Sequence, residues 1–351
     1  MRFLKLAAVL VCFTMVFPAC RTQREADKIA WEDLAAISKA SLHPKGAQPG
    51  DAPVSWRFWW MAEELYLAGG RAAYQSDVFR PLHCTPETEI EARFPDAPTL
   101  EMQKIRKEPT VDGKEQCERI FINNVIAGYV VQNQLWSRNT LKDAVAQKNG
   151  LNLPSTNPFS RQIKTEWRRI EDAQSNRYIT AANDDGDLYG LVAVHMMSHE
   201  LPTWLWASWM HEDYARWMPP EIGFHDSFGR KQDGTATHAL KAVLSANGAE
   251  VLSHYKLIGT QTGFEDPRHL GNPLIEGTHA QNLSEALLNS SCITCHRYAA
   301  VDKTGGRPHP RRQTGFATVP DPYYSVDFSF SLAGRPQCVT GPCNEALLAA
   351  Q

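Results

Sequence analysis

The sequence predicts an α+β fold: a helical N-terminal part, central antiparallel strands and a short C-terminal helical segment. Three observations carry this. Apolar residues recur at helical spacing before residue 150, they alternate with polar ones or run together between residues 163 and 210, and a C-x-x-C-H pattern stands at 292–296. Residues 26–42 and 56–74 read as helices, the second carrying Trp59, Trp60, Leu65 and Leu67 before Gly69-Gly70 interrupts it. Residues 117–145 read as a longer helix, from the partial stripe Ile120, Phe121, Val125, Tyr129 and Leu135. In the middle, Ile163-Lys164-Thr165-Glu166-Trp167 alternates as a half-buried strand does, residues 188–197 are mostly apolar, and residues 203–210 alternate around their tryptophans. Pro202 separates the last two, which predicts neighbouring strands of one sheet. Near the C-terminus, Asn282 or Ser284 opens a capped helix start leading toward Cys292.

With 351 residues, 43% of them apolar and 21% charged, the chain has the length and composition of a globular protein with a large core. Lys and Arg number 36 against 39 Asp and Glu, so no global basic excess marks a nucleic-acid binder. Neither an internal repeat, a Gly-rich phosphate loop nor a G-x-S-x-G nucleophile elbow occurs.

The first nineteen residues read as a secretory signal: Arg2 and Lys5 give a positive start, and an apolar run from Leu6 to Phe17 leads to Pro18-Ala19-Cys20. That run is shorter than the ~20 residues a membrane span needs. Ala19-Cys20 resembles a bacterial lipoprotein cleavage site, which implies a lipid on Cys20, with plain export as the alternative. Losing Arg2 and Lys5 makes the formal charge of −3 two units more negative, so an acidic membrane surface is a poor partner.

Export changes the meaning of the cysteines, because disulfides persist outside the cytoplasm. Cys12 leaves with the signal, and Cys20, Cys84, Cys117, Cys292, Cys295, Cys338 and Cys343 remain. With Cys20 lipidated and Cys292 and Cys295 assigned elsewhere, four can close two bridges. The expected pairs are Cys338 with Cys343, across a turn-forming spacer, and Cys84 with Cys117.

Cys292-Ile293-Thr294-Cys295-His296 is the pattern of covalent haem attachment, far too specific to arise by chance. A two-residue spacer brings both thiols to one side of a helical turn, where each can add across a haem vinyl group, and the adjacent imidazole reaches the iron. Through these residues the sequence resembles the c-type cytochromes. The resemblance implies one covalent haem c held by Cys292 and Cys295, with His296 as proximal axial ligand, in a cytochrome c-like segment over residues 272–351. Residues 20–271 then form an α+β region of unknown role. A thioredoxin-like dithiol, which would need a βαβ context, and a zinc site completed by Cys338 and Cys343 are the competing readings.

Small c-type cytochromes usually supply a downstream methionine as sixth ligand, but no Met follows Met218. The candidates are His195, Met196, Met197 and His199, then Met210 and His211, with His309 the downstream histidine. On a strand His195 and His199 lie roughly 13 Å apart and cannot share a metal; a structural role is expected for both. Trp204, Trp206, Trp209 and Trp217 are expected to fill a core, with a haem wall as the alternative. Lys303, Arg307, Arg311 and Arg312 read as a solvated loop, able in the alternative to hold a haem propionate or dock an acidic redox partner. Tyr323, Tyr324, Phe328 and Phe330 read as aromatic packing, or as a cover for the haem edge.

The expected function is one-electron transfer by a monohaem c-type cytochrome in the periplasm or cell envelope, meeting a redox partner protein there and touching membrane only through Cys20. A haem oxidoreductase of peroxidase type with an open distal site, or a haem-based sensor, is the alternative.

Overall fold

The computed structural model describes residues 22–40, 51–52, 54–66, 82, 116–183, 185–264, 269–276, 290–307, 322–334 and 336. In chain order these give α1 (Gln23–Ile37), a 3-10 turn (Ser55–Phe58), β1 (Trp60–Met61), α2 (Ala62–Tyr66), β2 (Gln116–Ile122), α3 (Asn124–Gln132), α4 (Arg138–Lys148), β3 (Arg161–Arg169), β4 (Thr180–Ala182), β5 (Leu188–Ser198), β6 (Leu205–His211), α5 (His238–Asn247), β7 (Tyr255–Gln261), α6 (Cys292–His296), β8 (Ala300–Val301), β9 (Tyr324–Ser325) and α7 (Phe330–Gly334). The α+β expectation holds. A seven-stranded antiparallel sheet runs β1-β2-β3-β5-β6-β7, with β4 joined to the start of β5, and β8 pairs with β9 apart from it.

The predicted central strands appear as β3, β5 and β6, and β5 and β6 are neighbours as expected. Two predicted helices are corrected. Residues 117–145 hold a strand followed by two helices, because Asn123 stops β2 and accepts the Ile126 N–H at 3.2 Å as the N-cap of α3. Residues 56–66 split into the 3-10 turn, β1 and α2, and residues 67–74 lie outside the described part. The helix start expected at Asn282 or Ser284 lies outside it too.

Side chains alternate across the sheet, and both faces are covered. On one face Phe121, Ile163, Trp167, Val194, Met196, Ala207, Trp209 and Leu257 meet Ala30, Trp31 and Leu34 of α1 and Leu240 and Leu244 of α5. Trp31 stands edge-on to Trp209 with ring centres 5.9 Å apart. Each such buried side chain contributes about 1.5–3 kcal/mol. Asp27, wholly buried on α1, is satisfied by Ser227, Thr260 and Gln23.

The opposite face carries two ladders of paired residues. Ile122, Gln162, Met197, Trp206 and Gln261 form one row across β2, β3, β5, β6 and β7; Ile120, Lys164, His195, Ser208 and Gly259 form the next. The half-buried reading of β3 is therefore wrong on its polar side: Glu166 is 1% exposed and Arg168 is fully buried. Ala193, the partner of Glu166, shares a core with Met210, Met218 and Ile222, and Tyr214 and Trp217 lie on the Arg168 guanidinium. A second core covers the rest of this face. Met197 and Trp206 share a core with Ile126 and Val130 of α3, Leu141 and Val145 of α4, and Ile293, Ala299, Val301, Val326 and Leu332. At Gly259 the absent side chain lets a Leu270 methyl come within 3.1 Å of where a Cβ would stand, so a larger residue there would crowd it. Among the described residues no helix is long and apolar enough to cross a membrane.

Candidate functional site

The pattern at 292–296 forms α6, a helix of five residues. It is too short to hold itself together and depends on what surrounds it. Ser291 caps it, accepting the Thr294 N–H at 3.4 Å. Gln261, the last residue of β7, donates Nε2–H to Ser291 Oγ at 3.2 Å and accepts the Ile293 N–H at 3.4 Å. The end of a sheet strand thus fixes the helix start, and Ile293, fully buried, anchors the helix in the core below.

Cys292 and Cys295 are unpaired, on one side of the same turn. Cys295 borders solvent, yet enough protein surrounds it to push its thiol up to about 11, the Glu276 carboxylate adding to the effect. Burial, and then Glu276, likewise raise Cys292. Both therefore stay protonated at neutral pH, unlike the activated thiol of a thioredoxin-like dithiol.

His296 points its Nδ1 at the Phe328 carbonyl, 2.8 Å away. A carbonyl only accepts, so Nδ1 carries the hydrogen and Nε2 keeps its lone pair. Burial, opposed by that hydrogen bond and assisted by Lys164, lowers the imidazole to about 4, so the ring is neutral at pH 7. Trp206 and Phe330 flank it with centres 4.7 and 4.9 Å away, and Phe328 packs against Trp206 at 5.9 Å.

The Phe328 carbonyl owes its direction to an unusual turn. Asp327 and Phe328 both have positive φ, +55° and +64°, a conformation that costs a residue with a side chain about 1–2 kcal/mol. Asp327 holds it: Oδ2 accepts the Leu153 N–H at 2.7 Å and Oδ1 accepts the Trp204 Nε1–H at 3.1 Å. His199 stacks on Trp204 at 4.4 Å and places Nδ1 3.5 Å from Asp327. Burial pushes Asp327 up and His199 down.

Beside α6 lies a polar group that sequence reasoning missed. Lys164 Nζ pairs with Glu118 at 2.7 Å. Burial works against the Lys164 ammonium, but Glu118, Glu166 and Glu276 outweigh it and keep the side chain charged. Glu276, raised to about 7 by burial, approaches His195 Nδ1 at 3.6 Å. His195 is lowered to about 3 by burial, then by Lys164 and His296. The signal for Lys164 was its strand alternation, which looked like a solvent-facing position; Glu276 carried no pattern at all.

The other candidates separate cleanly. Met196 faces the opposite core, Met197 packs beside Trp206, and Met210 sits in a third cluster with Tyr178 and Ile258. His211 is engaged at both nitrogens, with the Arg177 carbonyl and the Asp213 N–H. His195 lies on β5 and His199 one residue past its end. Trp204 and Trp209 fill cores, Trp217 packs on the Arg168 guanidinium at 4.8 Å, and Trp206 alone of the four touches His296. Phe328 and Phe330 lie at the site, whereas Tyr324 packs in the core around Ile293. Lys303 and Arg307 lie in the turns after α6. Cys117 is disulfide-bonded. Its expected partner Cys84, and also Cys20, Cys338, Cys343, Arg311, Arg312 and His309, lie outside the described residues. Comparison with protein-family models, curated proteins and solved structures gives no match to this chain.

Proposed function

We propose that the chain is an exported c-type haem protein that carries single electrons in the bacterial cell envelope, with one haem on Cys292 and Cys295 and His296 as proximal ligand. The observation that carries this reading is the His296 Nδ1–H bond to the Phe328 carbonyl beside two unpaired thiols on one helical turn. A metal-ligating imidazole is ordinarily held in this way, one nitrogen donating to a carbonyl and the other left for the metal. Covalent haem needs two free thiols at this spacing, a neutral imidazole and apolar walls, and Trp206, Phe328 and Phe330 supply the walls. The residues fit the group.

Each part of the chain has a task in this reading. Gln261 and Ser291 set the helix, Ile293 anchors it, and the turn at Asp327 fixes the His296 ring. Trp206 and Phe330 exclude water from that ring. Bound haem supplies an iron that cycles between ferric and ferrous states at a potential set by its ligands and surroundings. Export is supported by the signal-like first nineteen residues and by the disulfide at Cys117, a bond suited to an oxidising compartment. A lipid on Cys20 would tether the protein to a membrane surface.

Production with haem-attachment machinery, followed by a haem stain of denatured protein, tests the reading. Haem that survives denaturation in the parent and is lost in a Cys292→Ala, Cys295→Ala double variant supports it; a parent without covalent haem overturns it. A haem oxidoreductase is the second reading, favoured by Glu276 beside the site, a half-buried carboxylic acid raised to about 7 and so suited to exchanging a proton near neutral pH. Turnover of hydrogen peroxide by the haem-loaded parent would select it.

A further inference from the structure

We propose that His195, at the centre of β5, is the second axial ligand of the iron, so that the sheet itself closes the haem site and the pair is bis-histidine. The inference rests on the haem reading above and concerns the ligand that the attachment motif leaves open.

Position comes first. His195 and Ser208 are paired on adjacent strands, and one step along the same face Met197 is paired with Trp206, whose ring touches His296. Diagonal neighbours on one sheet face lie roughly 7–8 Å apart, within reach of an imidazole. The site and His195 also share Glu276 and Lys164 as charged neighbours.

The state of the ring comes second. His195 Nε2 is buried without a hydrogen-bond partner, and so is Ser208 Oγ beside it. Leaving such a group unsatisfied costs about 1–3 kcal/mol, and an imidazole nitrogen is one that a metal can satisfy. Nδ1 meanwhile faces the Glu276 carboxylate at 3.6 Å. That separation is longer than a hydrogen bond, so Glu276 acts on the ring through its charge, and Nε2 is the nitrogen left unclaimed.

Elimination among the described residues agrees. His199 is stacked on Trp204 against Asp327, His211 is engaged at both nitrogens, and Met196 and Met210 pack elsewhere. His269 is one rival, its Nδ1 also buried without a partner and its neighbour Leu270 bonded to Ser290, but it stands off the sheet row that holds His195 and Trp206. Met197 is the other. Its thioether sits in the apolar core with Ile293 and leaves no unmet hydrogen bond, so nothing about it calls for a ligand.

The full haem-loaded chain provides the test, through its optical and electron paramagnetic resonance spectra and its carbon monoxide binding. The parent is expected to be low-spin and, when reduced, unmoved by carbon monoxide. His195→Gly should turn it high-spin and gas-binding at unchanged haem content, and added imidazole should restore the low-spin spectrum, which a misfolded variant would not do. Met197→Leu should leave the spectrum as in the parent. A parent that is high-spin, a His195→Gly variant that stays low-spin, or conversion by Met197→Leu instead would each overturn the assignment. Absence of covalent haem from the parent would sink the haem reading itself, which keeps the two failures apart.

Discussion

Asp327 is the residue through which the rest of the molecule reaches His296. Its carboxylate collects an N–H from Leu153 and an indole N–H from Trp204, and the left-handed turn it stabilises aims the next carbonyl at the imidazole. Asp327→Asn places an amide where one of these donors needs an acceptor, and the expected loss of folding stability is about 1–3 kcal/mol by chemical denaturation. The haem-loaded variant should also show a raised reduction potential. A weaker grip on Nδ1–H makes the imidazole a poorer electron donor to the iron. An unchanged potential would show that the turn does not control the ligand. Asp327 carries no local signature, because the contacts that single it out come from residues more than a hundred positions earlier. His296, by contrast, stands out as a candidate from five residues, since the C-x-x-C-H pattern is a matter of local spacing.

At the scale of elements, α6 shows how a strand can define a helix. Gln261→Ala removes both contacts from β7 to the start of α6. Loosening by roughly 1.4 kcal/mol should raise amide exchange at Ile293 and Thr294 about tenfold in the haem-free chain, with the sheet amides unaffected. Equal exchange in parent and variant would leave Gln261 without a role. Strands β3, β5 and β6 were readable because each keeps one apolar face or is apolar throughout, and α1 because its stripe is regular. β2 was not. Ile120 and Phe121 at the end of the strand line up by accident with Val125 and Tyr129 of the next helix, so a single helical stripe seems to continue across the break. Asn123 was the overlooked mark, a residue suited to capping in the middle of the run. The polar side of β3 misled for another reason: a period-2 pattern tells which residues share a face, but not what later covers that face.

Over the whole molecule, buried imidazoles make stability depend on acidity. Away from the haem candidate, His211 is fully buried, stacked on Tyr178 at 3.8 Å and edge-on to Tyr255, with Asp213, Arg177, Glu212, His254 and Tyr214 as its polar surroundings. Burial is the main cause that lowers it to about 4, against an ordinary value of 6.5. The unfolded chain binds this proton more readily, so the contribution is fully present above pH 6.5 and is lost as pH falls toward about 4. The expected size is up to roughly 3 kcal/mol. Unfolding midpoints measured between pH 7 and 4 should therefore fall less steeply for His211→Gln than for the parent, and parallel curves would contradict the assignment.

The sheet is complete once Gln261 has been made, whereas the helix and turn that cover its Trp206 face follow at 290–307 and 322–334. A chain emerging from N- to C-terminus therefore presents Met197 and Trp206 to its surroundings before their cover exists. On the haem reading, the same interval would leave Cys292 open to an attachment machinery before Ile293 locks its helix down, whereas Cys295 stays exposed in the finished fold, so the order of synthesis would set the window for the first thiol and not for the second.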